Sequence, residues 1–584
     1  MKSLRWRRVK VPRWWPTLSV VSIALSVGVL AACGDSGDDA GGAAGGTSTE
    51  GLRNPGVFVH AQNAEPESLD PARVEQGEKG EQFVYNVYER LLDIGPDGPD
   101  LIPAIAEEVP SRDNGLISED GLTYTFPIRR DVSYHDGSRL DAEAVKYSWD
   151  RALEMDLPEG QAFELADTVK RTRVVDDYTF EVQLNEPNAS FLNSAVVSPV
   201  ASIVSPEAVE ANGGVRPGEP NEYMDTHMVG TGPYELDRWN RGESISMVVN
   251  PDYWGEPANV DVRWDITPDE SARILQLLSG EADTIDMSPS NVSEVEGQAG
   301  IAISSEQLTL EPLHLAFNSC IPEDRVPSGD DVPEDFFQDP RVRQAFSYAF
   351  DYETYINEFL EGFGDRYTSY LPRGVLGFDE SAPMYEYDPE RAEELFQETG
   401  WWDEGFTLSI LVQEGEPEFE GVALLMKDGL EQLNPNFEVR VVQQAETQFD
   451  ENLGKDPVEF PMWVKNADPF ADPHPFYLNY QHPEGQWGTV HCFDEAYEDP
   501  EAITELIDEG VRAVDPGERR EIYSELQRLA YEDPMWVYAA QEGLAVPYRD
   551  WVQPFEINPL WRGFQYRYLD KPGAEEAGGD ESGA

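Results

Sequence analysis

The stretch Val229–Gly255, VGTGPYELDRWNRGESISMVVNPDYWG, constrains the fold more than any other part of the chain. Apolar residues alternate in the two runs on either side of Asn240–Gly242, which is the pattern of two strands joined by a turn. Gly230 and Gly232 remove two Cβ atoms directly before Pro233 fixes its φ, so the backbone can make a close crossing there. We therefore predict a hairpin that brings the chain back to where its fold began.

The N-terminus carries the features of an export signal. Residues 1–32 combine a basic start without acidic residues and an apolar run that is short for a membrane span. The small residues before Cys33 resemble a bacterial lipobox, which implies cleavage before Cys33 and lipid on its sulfur; a plain signal peptide with an incidental cysteine is the alternative. Arg7-Arg8 leaves the twin-arginine route open beside general secretion.

Two further terminal segments are predicted to have no fold of their own. Residues 33–51 are rich in Gly, Ala, Ser, Thr and Asp and indicate a flexible tether between the lipid and the folded part. Residues 574–584 are acidic and glycine-rich, which is typical of a disordered tail.

The charge of the chain excludes some classes of partner. The net charge is −71, with 113 acidic residues, so a nucleic acid, which needs a basic surface, is not an expected partner. Electrostatic docking on anionic lipid is excluded for the same reason, and the membrane anchor should be covalent. The acidity also indicates a solvated, self-repelling surface. Because acids are so frequent, two neighbouring carboxylates are no evidence of catalysis.

Neither an enzyme nor a metal site is predicted. The sequence has no GxSxG, HExxH or Walker A motif, and its seven histidines show no metal-ligand spacing. We predict no cofactor and no metal. If Cys33 carries lipid, Cys320 and Cys492 remain as a pair that can oxidise outside the cytoplasm. We predict this disulfide, with two buried free thiols as the alternative.

Local patterns predict both helices and strands along the folded part. Strands are expected at Val57–His60, Gly121–Arg129 and Tyr178–Leu184, and helices at Glu81–Leu92, Asp141–Leu153 and Ser271–Gly280. Further on, strands at Thr407–Val412 and Phe437–Val442 flank an apolar helix at Val422–Leu433, a βαβ pattern that favours parallel strands. Four helices should start with Asp at the cap and Pro after it, at Asp339, Asp388, Asp499 and Asp515.

The stretch Phe460–Tyr480 contains most of the candidate binding residues. Prolines interrupt it, and it combines aromatic side chains with acids and amides. Such a loop fits the wall of a ligand pocket, in which aromatic faces supply contact area and a carboxylate pairs with an amine. A packed surface loop is the alternative. The candidates are Trp463, Asn466, Asp468, Phe470 and Asp472.

Several blocks together resemble the family 5 extracytoplasmic solute-binding proteins, the oligopeptide- and dipeptide-binding group of ABC importers. In order they are ESLDP (67–71), VYNVYERLL (84–92), the block from Asp120 to Arg151, VGTGPYEL to NPDYWG, LAFN (315–318) and DPRVRQAFSYAFD (339–351). They cover the first two-thirds of the mature chain, and the last third matches more loosely.

This resemblance implies an α/β, two-lobe periplasmic-binding-protein fold of class II, or cluster C, type. Lobe one would comprise 52–310 and 546–573, with an extra subdomain at about 75–225, and lobe two would comprise 311–545. Two crossings near Leu308–Asn318 and Ala540–Tyr548 would form the hinge. The resemblance also implies a lipid-anchored extracytoplasmic receptor, which we expect to be monomeric. It would close on a solute and deliver it to a membrane permease with ATPase subunits.

The resemblance also implies an aspartate that pairs with the α-amine of a bound peptide. Asp468 is the best match, Asn466 stands where an aspartate is common, and Asp472 is an alternative. A dipeptide receptor would carry an arginine after the first strand of lobe two, but Gln413–Glu416 contains none. Longer peptides and non-peptide solutes such as nickel chelates or oligosaccharides therefore remain open, and an extracytoplasmic carboxylate-dependent hydrolase is the alternative of a different class.

Overall fold

The computed structural model describes residues 52–571, apart from 75–78, 97, 99, 156, 158–161, 305–307, 323–324, 456, 468–469, 486, 488–495, 498, 556 and 562. All described residues belong to one compact unit, Thr47–Ala584. The predicted signal peptide, Cys33, the tether and the acidic tail lie outside the described residues.

Eighteen strands are seen in the described part of the chain. They are β1 Val57–Gln62, β2 Leu92–Ile94, β3 Leu101–Pro103, β4 Thr123–Pro127, β5 Val169–Asp176, β6 Thr179–Leu184, β7 Tyr234–Asn240, β8 Ser244–Val249, β9 Asp261–Ile266, β10 Thr284–Ile285, β11 Ile301–Ser304, β12 Leu313–Phe317, β13 Gly364–Asp365, β14 Phe406–Gln413, β15 Phe437–Gln444, β16 Met462–Asn466, β17 Trp536–Glu542 and β18 Val546–Arg549.

Helices surround these strands. They are α1 Lys79–Val87, α2 Ala142–Met155, α3 Ala162–Thr168, α4 Pro206–Ala211, α5 Glu270–Ser279, α6 Pro340–Ala349, α7 Tyr352–Thr354, α8 Pro389–Thr399, α9 Trp401–Glu404, α10 Pro417–Leu433, α11 Glu446–Leu453, α12 Pro473–Gln481, α13 Pro500–Arg512 and α14 Pro516–Glu532. Short 3₁₀ turns occur at Pro199–Ala201, Pro289–Glu294, Pro559–Trp561 and Tyr566–Tyr568, and a π turn at Tyr355–Phe359. Within the described residues, no helix combines the length and apolarity that a membrane crossing requires.

Two large sheets form the cores of two lobes. The first has seven strands in the order β11-β18-β10-β1-β9-β8-β7, so the strand nearest the C-terminus, β18, lies among strands that all precede residue 305. The second has six strands in the order β13-β17-β12-β16-β14-β15. The predicted βαβ unit is confirmed, since β14 and β15 run parallel on either side of α10 in sequence.

Two short crossings join the lobes. The chain leaves the first sheet after β11 and enters the second at β12, and it returns from β17 to β18. The crossings run antiparallel and are hydrogen-bonded, because Leu308 bridges Gly543 and the N–H of Thr309 donates to the carbonyl of Glu542 at 2.7 Å. Two neighbouring crossings of this kind allow one lobe to rotate against the other.

The close crossing predicted at the hairpin is confirmed. Strands β7 and β8 pair antiparallel around the turn at Gly242. A Cβ atom at Gly230 would lie 2.0 Å from the carbonyl oxygen of Val87, and one at Gly232 would lie 2.8 Å from that same oxygen. The N–H of Gly232 donates to Val87 at 3.0 Å, so the absence of side chains lets the two backbones bond directly.

The four predicted Asp-Pro helix starts are confirmed. In each case the aspartate side chain accepts a hydrogen bond from a free backbone N–H of the first turn: Asp339 from Arg341, Asp388 from Arg391, Asp499 from Ala502 and Asp515 from Gly517 and Glu518. A fifth helix uses the same device, because Asp472 caps α12 and accepts from the N–H of His474.

Two local predictions are corrected. The helix predicted over Glu81–Leu92 ends at Val87, because Glu89 bridges Ile203 and Leu92 begins β2. The stretch Phe460–Tyr480, predicted as a loop, is largely regular: β16 precedes the undescribed residues 468–469, and α12 begins at Pro473.

A small subdomain joins the first lobe to the second. Its three-stranded sheet has the order β4-β6-β5 and packs against α2. The apolar cluster that includes its core also contains lobe-two side chains such as Phe476 and Tyr523. The backbone N–H of Ala189 donates to the carbonyl of Val511 at 2.6 Å across this boundary. The two lobes are therefore in contact through the subdomain.

Cys320 is disulfide-bonded. The predicted partner, Cys492, lies outside the described residues, so the pairing stays a prediction.

Candidate functional site

Each of the two large sheets contains a set of parallel strands, and the carboxyl ends of the two sets face each other. β11 runs parallel to β10 and β1 and leads directly into the first crossing, so the carboxyl ends of those strands point toward lobe two. β12 leaves that crossing antiparallel to β16 and β17, so the carboxyl ends of β16, β17 and β14 point toward lobe one. Ligands of open α/β sheets bind outside the carboxyl ends of the strands. The candidate site is therefore the cleft between the lobes.

An acidic cavity of about 240 Å³ lies at the lobe-two edge of this cleft. Its lining comes from the ends of β14, β16 and β17, from the start of α10 and from α11: Gln413, Glu416, Glu418, Phe419, Phe449, Lys465, Asn466 and Glu542. Glu311, in the first crossing, accepts a hydrogen bond from the side-chain amide of Asn466 at 3.0 Å. Carboxylates therefore outnumber cations around this cavity.

Burial and mutual repulsion raise the pKa values of two of these acids, Glu542 and Glu416. The pKa of Glu542 rises from its ordinary value of 4.5 to about 7, first because the carboxyl is desolvated and then because Glu418, Glu311 and Glu416 lie near it. Desolvation followed by the charges of Glu418 and Glu446 also raises the pKa of Glu416. A positively charged group in this cavity would relieve the repulsion, whereas a negative one would increase it.

A second, smaller cavity of about 60 Å³ lies between the lobes. One wall comes from lobe one and includes Tyr85, Ile94, Leu560 and Trp561, and the other includes Phe470 of lobe two. The indole N–H of Trp561 donates to the carbonyl of Ile94 at 3.0 Å, and the ring of Phe470 packs edge-on against Phe476 with centroids 5.1 Å apart. The walls of this inter-lobe cavity are thus held in place by other contacts.

A buried ion pair stands beside the inter-lobe cavity. Two guanidinium nitrogens of Arg519 each lie 2.7 Å from an oxygen of Asp472, and the two residues are 3% and 1% exposed. The hydroxyl of Ser190, from the subdomain, donates to Asp472 at 2.6 Å and accepts from Arg519 at 3.0 Å. Burial alone would raise the pKa of Asp472, but Arg519 and these hydrogen bonds bring the pKa below its ordinary value.

Comparison with known families shows to which family of proteins this chain belongs. The model of the bacterial extracellular solute-binding proteins, family 5 (middle), matches residues 100–488, well over half of the chain. The chain belongs to this family.

Relatives of this family 5 protein extend over almost its whole length. It is 24% identical over 510 residues to the probable D,D-dipeptide-binding periplasmic protein DdpA of Escherichia coli K12, covering 86% of this chain and 92% of the relative. Among solved structures, HbpA2 from Haemophilus parasuis superposes with a TM-score of 0.75 at 24% identity, covering 88% of this chain and 99% of the other. The periplasmic binding protein DppA from Helicobacter pylori, in complex with the peptide STSA, superposes with a TM-score of 0.65 at 24% identity, covering 88% and 98%.

The five candidate residues of the family 5 protein have different surroundings. Asn466 lines the acidic cavity, and Phe470 and Asp472 line the inter-lobe cavity. Trp463 is 1% exposed and packs in the apolar core. The carboxylate of Asp472 accepts hydrogen bonds from Arg519, from Ser190 and from the backbone N–H of His474. These partners all belong to the protein, so they give Asp472 a structural role. Asp468 lies outside the described residues.

Sequence reasoning did not select several residues that line the cleft. Glu542 is the last residue of β17, and Glu416 lies between β14 and α10. The rule that ligands bind at carboxyl ends of parallel strands would have pointed to Glu416, because it follows a predicted βαβ strand. No comparable sequence pattern indicates that Leu560 and Trp561, which lie near the C-terminus of the chain, line the cleft. In the described residues no group of acids, histidines or cysteines is arranged to hold a metal ion.

The charge of Glu542 in the ligand-free family 5 protein is expected to lower its stability. A carboxyl whose pKa is raised on folding costs stability above its folded pKa of about 7 and none below its unfolded value of 4.5. Glu542→Gln should therefore raise the free energy of unfolding at pH 8 by about 2 kcal/mol, after discounting for solvent screening.

The measurement is urea unfolding at several pH values without solute. The gain from Glu542→Gln should shrink as the pH falls from about 7 to 4.5. Glu521→Gln, on the exposed face of α14, is the matched control and should change stability little at any pH. An equal gain for both variants, or no gain at pH 8, would contradict a raised pKa at Glu542.

Proposed function

We propose that this protein is the extracytoplasmic receptor of an ABC importer, which binds a solute between its two lobes and delivers it to a membrane permease driven by ATPases. The observation that carries this proposal is the cleft between the carboxyl ends of two sheets joined by two hydrogen-bonded crossings. A solute that contacts both edges favours the closed arrangement, which is the form such a receptor presents to a permease.

Peptides are the proposed class of solute. The relative in Escherichia coli is named as a probable D,D-dipeptide-binding protein, and the related Helicobacter pylori structure is of a complex with a peptide. An acidic cavity beside the cleft suits the amine or basic side chain of a peptide. No arginine occurs in Gln413–Glu416 for a dipeptide carboxylate. We therefore propose peptides longer than two residues, or peptides with a basic group, over simple dipeptides.

Asp468 is the proposed partner of the peptide α-amine. It follows Asn466 by two positions, and Asn466 lines the acidic cavity. Asp468→Ala should weaken binding of a peptide with a free amine by about 2–5 kcal/mol, the cost of removing one side of a desolvated charge pair. Calorimetric titration with trialanine and with N-acetyl-trialanine tests this: the acetylated peptide should bind weakly to the wild type and be insensitive to the substitution.

Asp468→Asn is the matched control, since it keeps the shape of the side chain and removes the charge. It should behave like Asp468→Ala toward the free amine. If trialanine bound all three proteins equally well, the amine would have another partner, and Asp468 would lose its assignment.

A lipid on Cys33 is the proposed membrane anchor. Residues 1–32 and the small residues before Cys33 support it, and several acyl chains on one cysteine hold a protein stably on a membrane. Cys33→Ser should move the protein from the membrane fraction to the soluble fraction without changing its thermal unfolding. A Cys33→Ser protein that still sediments with membranes would rule out this anchor.

A further inference from the structure

A buried hydroxyl of the subdomain forms hydrogen bonds across the boundary to lobe two. Ser190 is 3% exposed, and its hydroxyl donates to a carboxylate oxygen of Asp472 at 2.6 Å. The same hydroxyl accepts from a guanidinium nitrogen of Arg519 at 3.0 Å. Next to it in sequence, the backbone N–H of Ala189 donates to the carbonyl of Val511 at 2.6 Å. Three hydrogen bonds therefore connect two consecutive residues of lobe one to lobe two.

The lobe-two side of this contact keeps its shape without the subdomain. Arg519 also donates to the carbonyl of Gly510 at 3.0 Å. Asp472 accepts from the N–H of His474 at 2.9 Å in addition to its two contacts with Arg519. All of these partners belong to lobe two. The ion pair of Asp472 and Arg519 can therefore persist when Ser190 is absent.

The subdomain side is also held by its own contacts. The side chain of Asn188 accepts from the N–H of Ser190 at 2.8 Å, and the hydroxyl of Tyr124 donates to the carbonyl of Asn188 at 3.2 Å. The carbonyl of Ser190 accepts from the hydroxyl of Ser194 at 2.8 Å. These four residues lie in the subdomain, so lobe one itself positions the hydroxyl of Ser190 and little ordering is needed when it meets lobe two.

Rotation of the lobes about the crossings would break this contact and leave both of its sides intact. Ser190 and Ala189 move with lobe one, whereas Asp472, Arg519 and Val511 move with lobe two. A hydroxyl that is bonded to both members of a buried ion pair forms charge-assisted hydrogen bonds, which are stronger than neutral ones. These bonds are present only while the lobes are together, so they favour the closed arrangement.

We infer that the hydroxyl of Ser190 is a closure latch, which stabilises the closed arrangement of the lobes and slows the release of every solute without selecting among solutes. This inference rests on the proposed function, because a receptor that binds between its lobes retains its solute through whatever favours their closure. The solute need not touch Ser190, which distinguishes this role from that of a residue in the binding site.

Ser190→Ala in the chain carrying Cys33→Ser tests the closure latch through solute release. Stopped-flow displacement of trialanine and of trilysine gives two dissociation rates. Both rates should rise by the same factor of about ten, the lower end of what a hydrogen bond to a charged group contributes. A shared factor is expected because the latch holds the lobes and does not contact either tripeptide.

Hydrogen exchange without solute provides a second measurement that is independent of any peptide. The N–H of Ala189 is bonded to Val511 of the other lobe, so its exchange reports separation of the two lobes at this contact. In Ser190→Ala this N–H should exchange faster, by up to about tenfold.

Ser148→Ala is the matched control. Ser148 is also a serine of the subdomain that is 3% exposed, but its hydroxyl donates to the carbonyl of Ala144 and accepts from the N–H of Val204, both within lobe one. This substitution should leave both dissociation rates and the exchange of the Ala189 N–H unchanged. Thermal unfolding establishes that both variants are folded.

Dissociation rates that Ser190→Ala leaves unchanged would overturn the closure latch, even if the Ala189 N–H exchanged faster, because the loosening would then be local. An effect on one tripeptide alone would also overturn it, since Ser190 would then act in the solute site. If neither tripeptide bound any of the proteins, the proposed peptide function would fail and the exchange rate would still decide: faster exchange in Ser190→Ala alone supports the latch, and equal exchange in all three proteins overturns it.

Discussion

Replacing Asp472 by alanine is expected to lower the free energy of unfolding by about 3–5 kcal/mol, the cost of leaving one partner of a buried ion pair uncompensated. Arg519 is 3% exposed, and its guanidinium would lose both oxygens that it now contacts at 2.7 Å. The same substitution removes the cap of α12 and the acceptor of the Ser190 hydroxyl. Urea unfolding of the Cys33→Ser chain at pH 7 measures the loss.

Asp499→Ala is the matched control for this prediction. Asp499 caps α13 with the same Asp-Pro start, and its side chain accepts an exposed hydrogen bond from the backbone N–H of Ala502. Its loss should cost about 1 kcal/mol, the usual worth of a helix cap. Equal losses for Asp472→Ala and Asp499→Ala would show that the buried pair contributes nothing beyond the cap.

The pH dependence of the Asp472 contribution has a defined sign. Because the pKa of Asp472 is lower in the folded protein than its ordinary value of 3.8, its contribution is present above that value and is lost as the pH falls through the folded pKa. The difference between wild type and Asp472→Ala should therefore be constant near neutral pH and decrease in acid.

Gly230→Ala is expected to destabilise the protein by about 3 kcal/mol, at the upper end of the range for forcing extra atoms into a packed interior. The new Cβ would lie 2.0 Å from the carbonyl oxygen of Val87 and 2.9 Å from the ring of Tyr88, so the backbone itself would have to move. The crossing also includes His135, whose N–H donates to the carbonyl of Gly230 at 2.9 Å. Thermal and urea unfolding would both record the loss.

Gly242→Ala separates this clash from the general effect of adding a side chain to glycine. Gly242 has a φ of 72° in the hairpin turn, and its Cβ would meet nothing within 4 Å. Its substitution should cost about 1 kcal/mol for the strained φ alone. Gly230 lacks a positive φ, so a loss at Gly230 no larger than that at Gly242 would contradict the close crossing.

Local signals in the sequence were sufficient for much of the fold. The two strands around Gly242, the βαβ unit and the Asp-Pro helix starts depend on residues close together in the chain, and their patterns have few alternatives. The end of α1 could not be predicted from such local patterns, because it depends on tertiary pairing. The helix ends at Val87 because Glu89 pairs with Ile203, which lies more than a hundred residues away.

The candidate site was predictable only in part for the same reason. Asn466 and Phe470 lie in one short stretch whose composition indicates a pocket wall, and both line cavities of the cleft. Asp472 could have been recognised as a fifth Asp-Pro helix cap, since it shares the motif of the other four. No local sequence motif identifies its partner Arg519 or the cleft residue Glu542. Only the folding of the chain brings these two residues to the cleft.

The central claim is that the cleft holds a peptide, and mass spectrometry tests it most directly. The Cys33→Ser protein would be purified without denaturant, weighed under native conditions and weighed again after denaturation. We expect a native mass above that of the chain and a released set of short peptides, with lengths beyond two residues or with a basic group among them. A single non-peptide solute released from the cleft would contradict the claim, although the fold and a receptor role would stand.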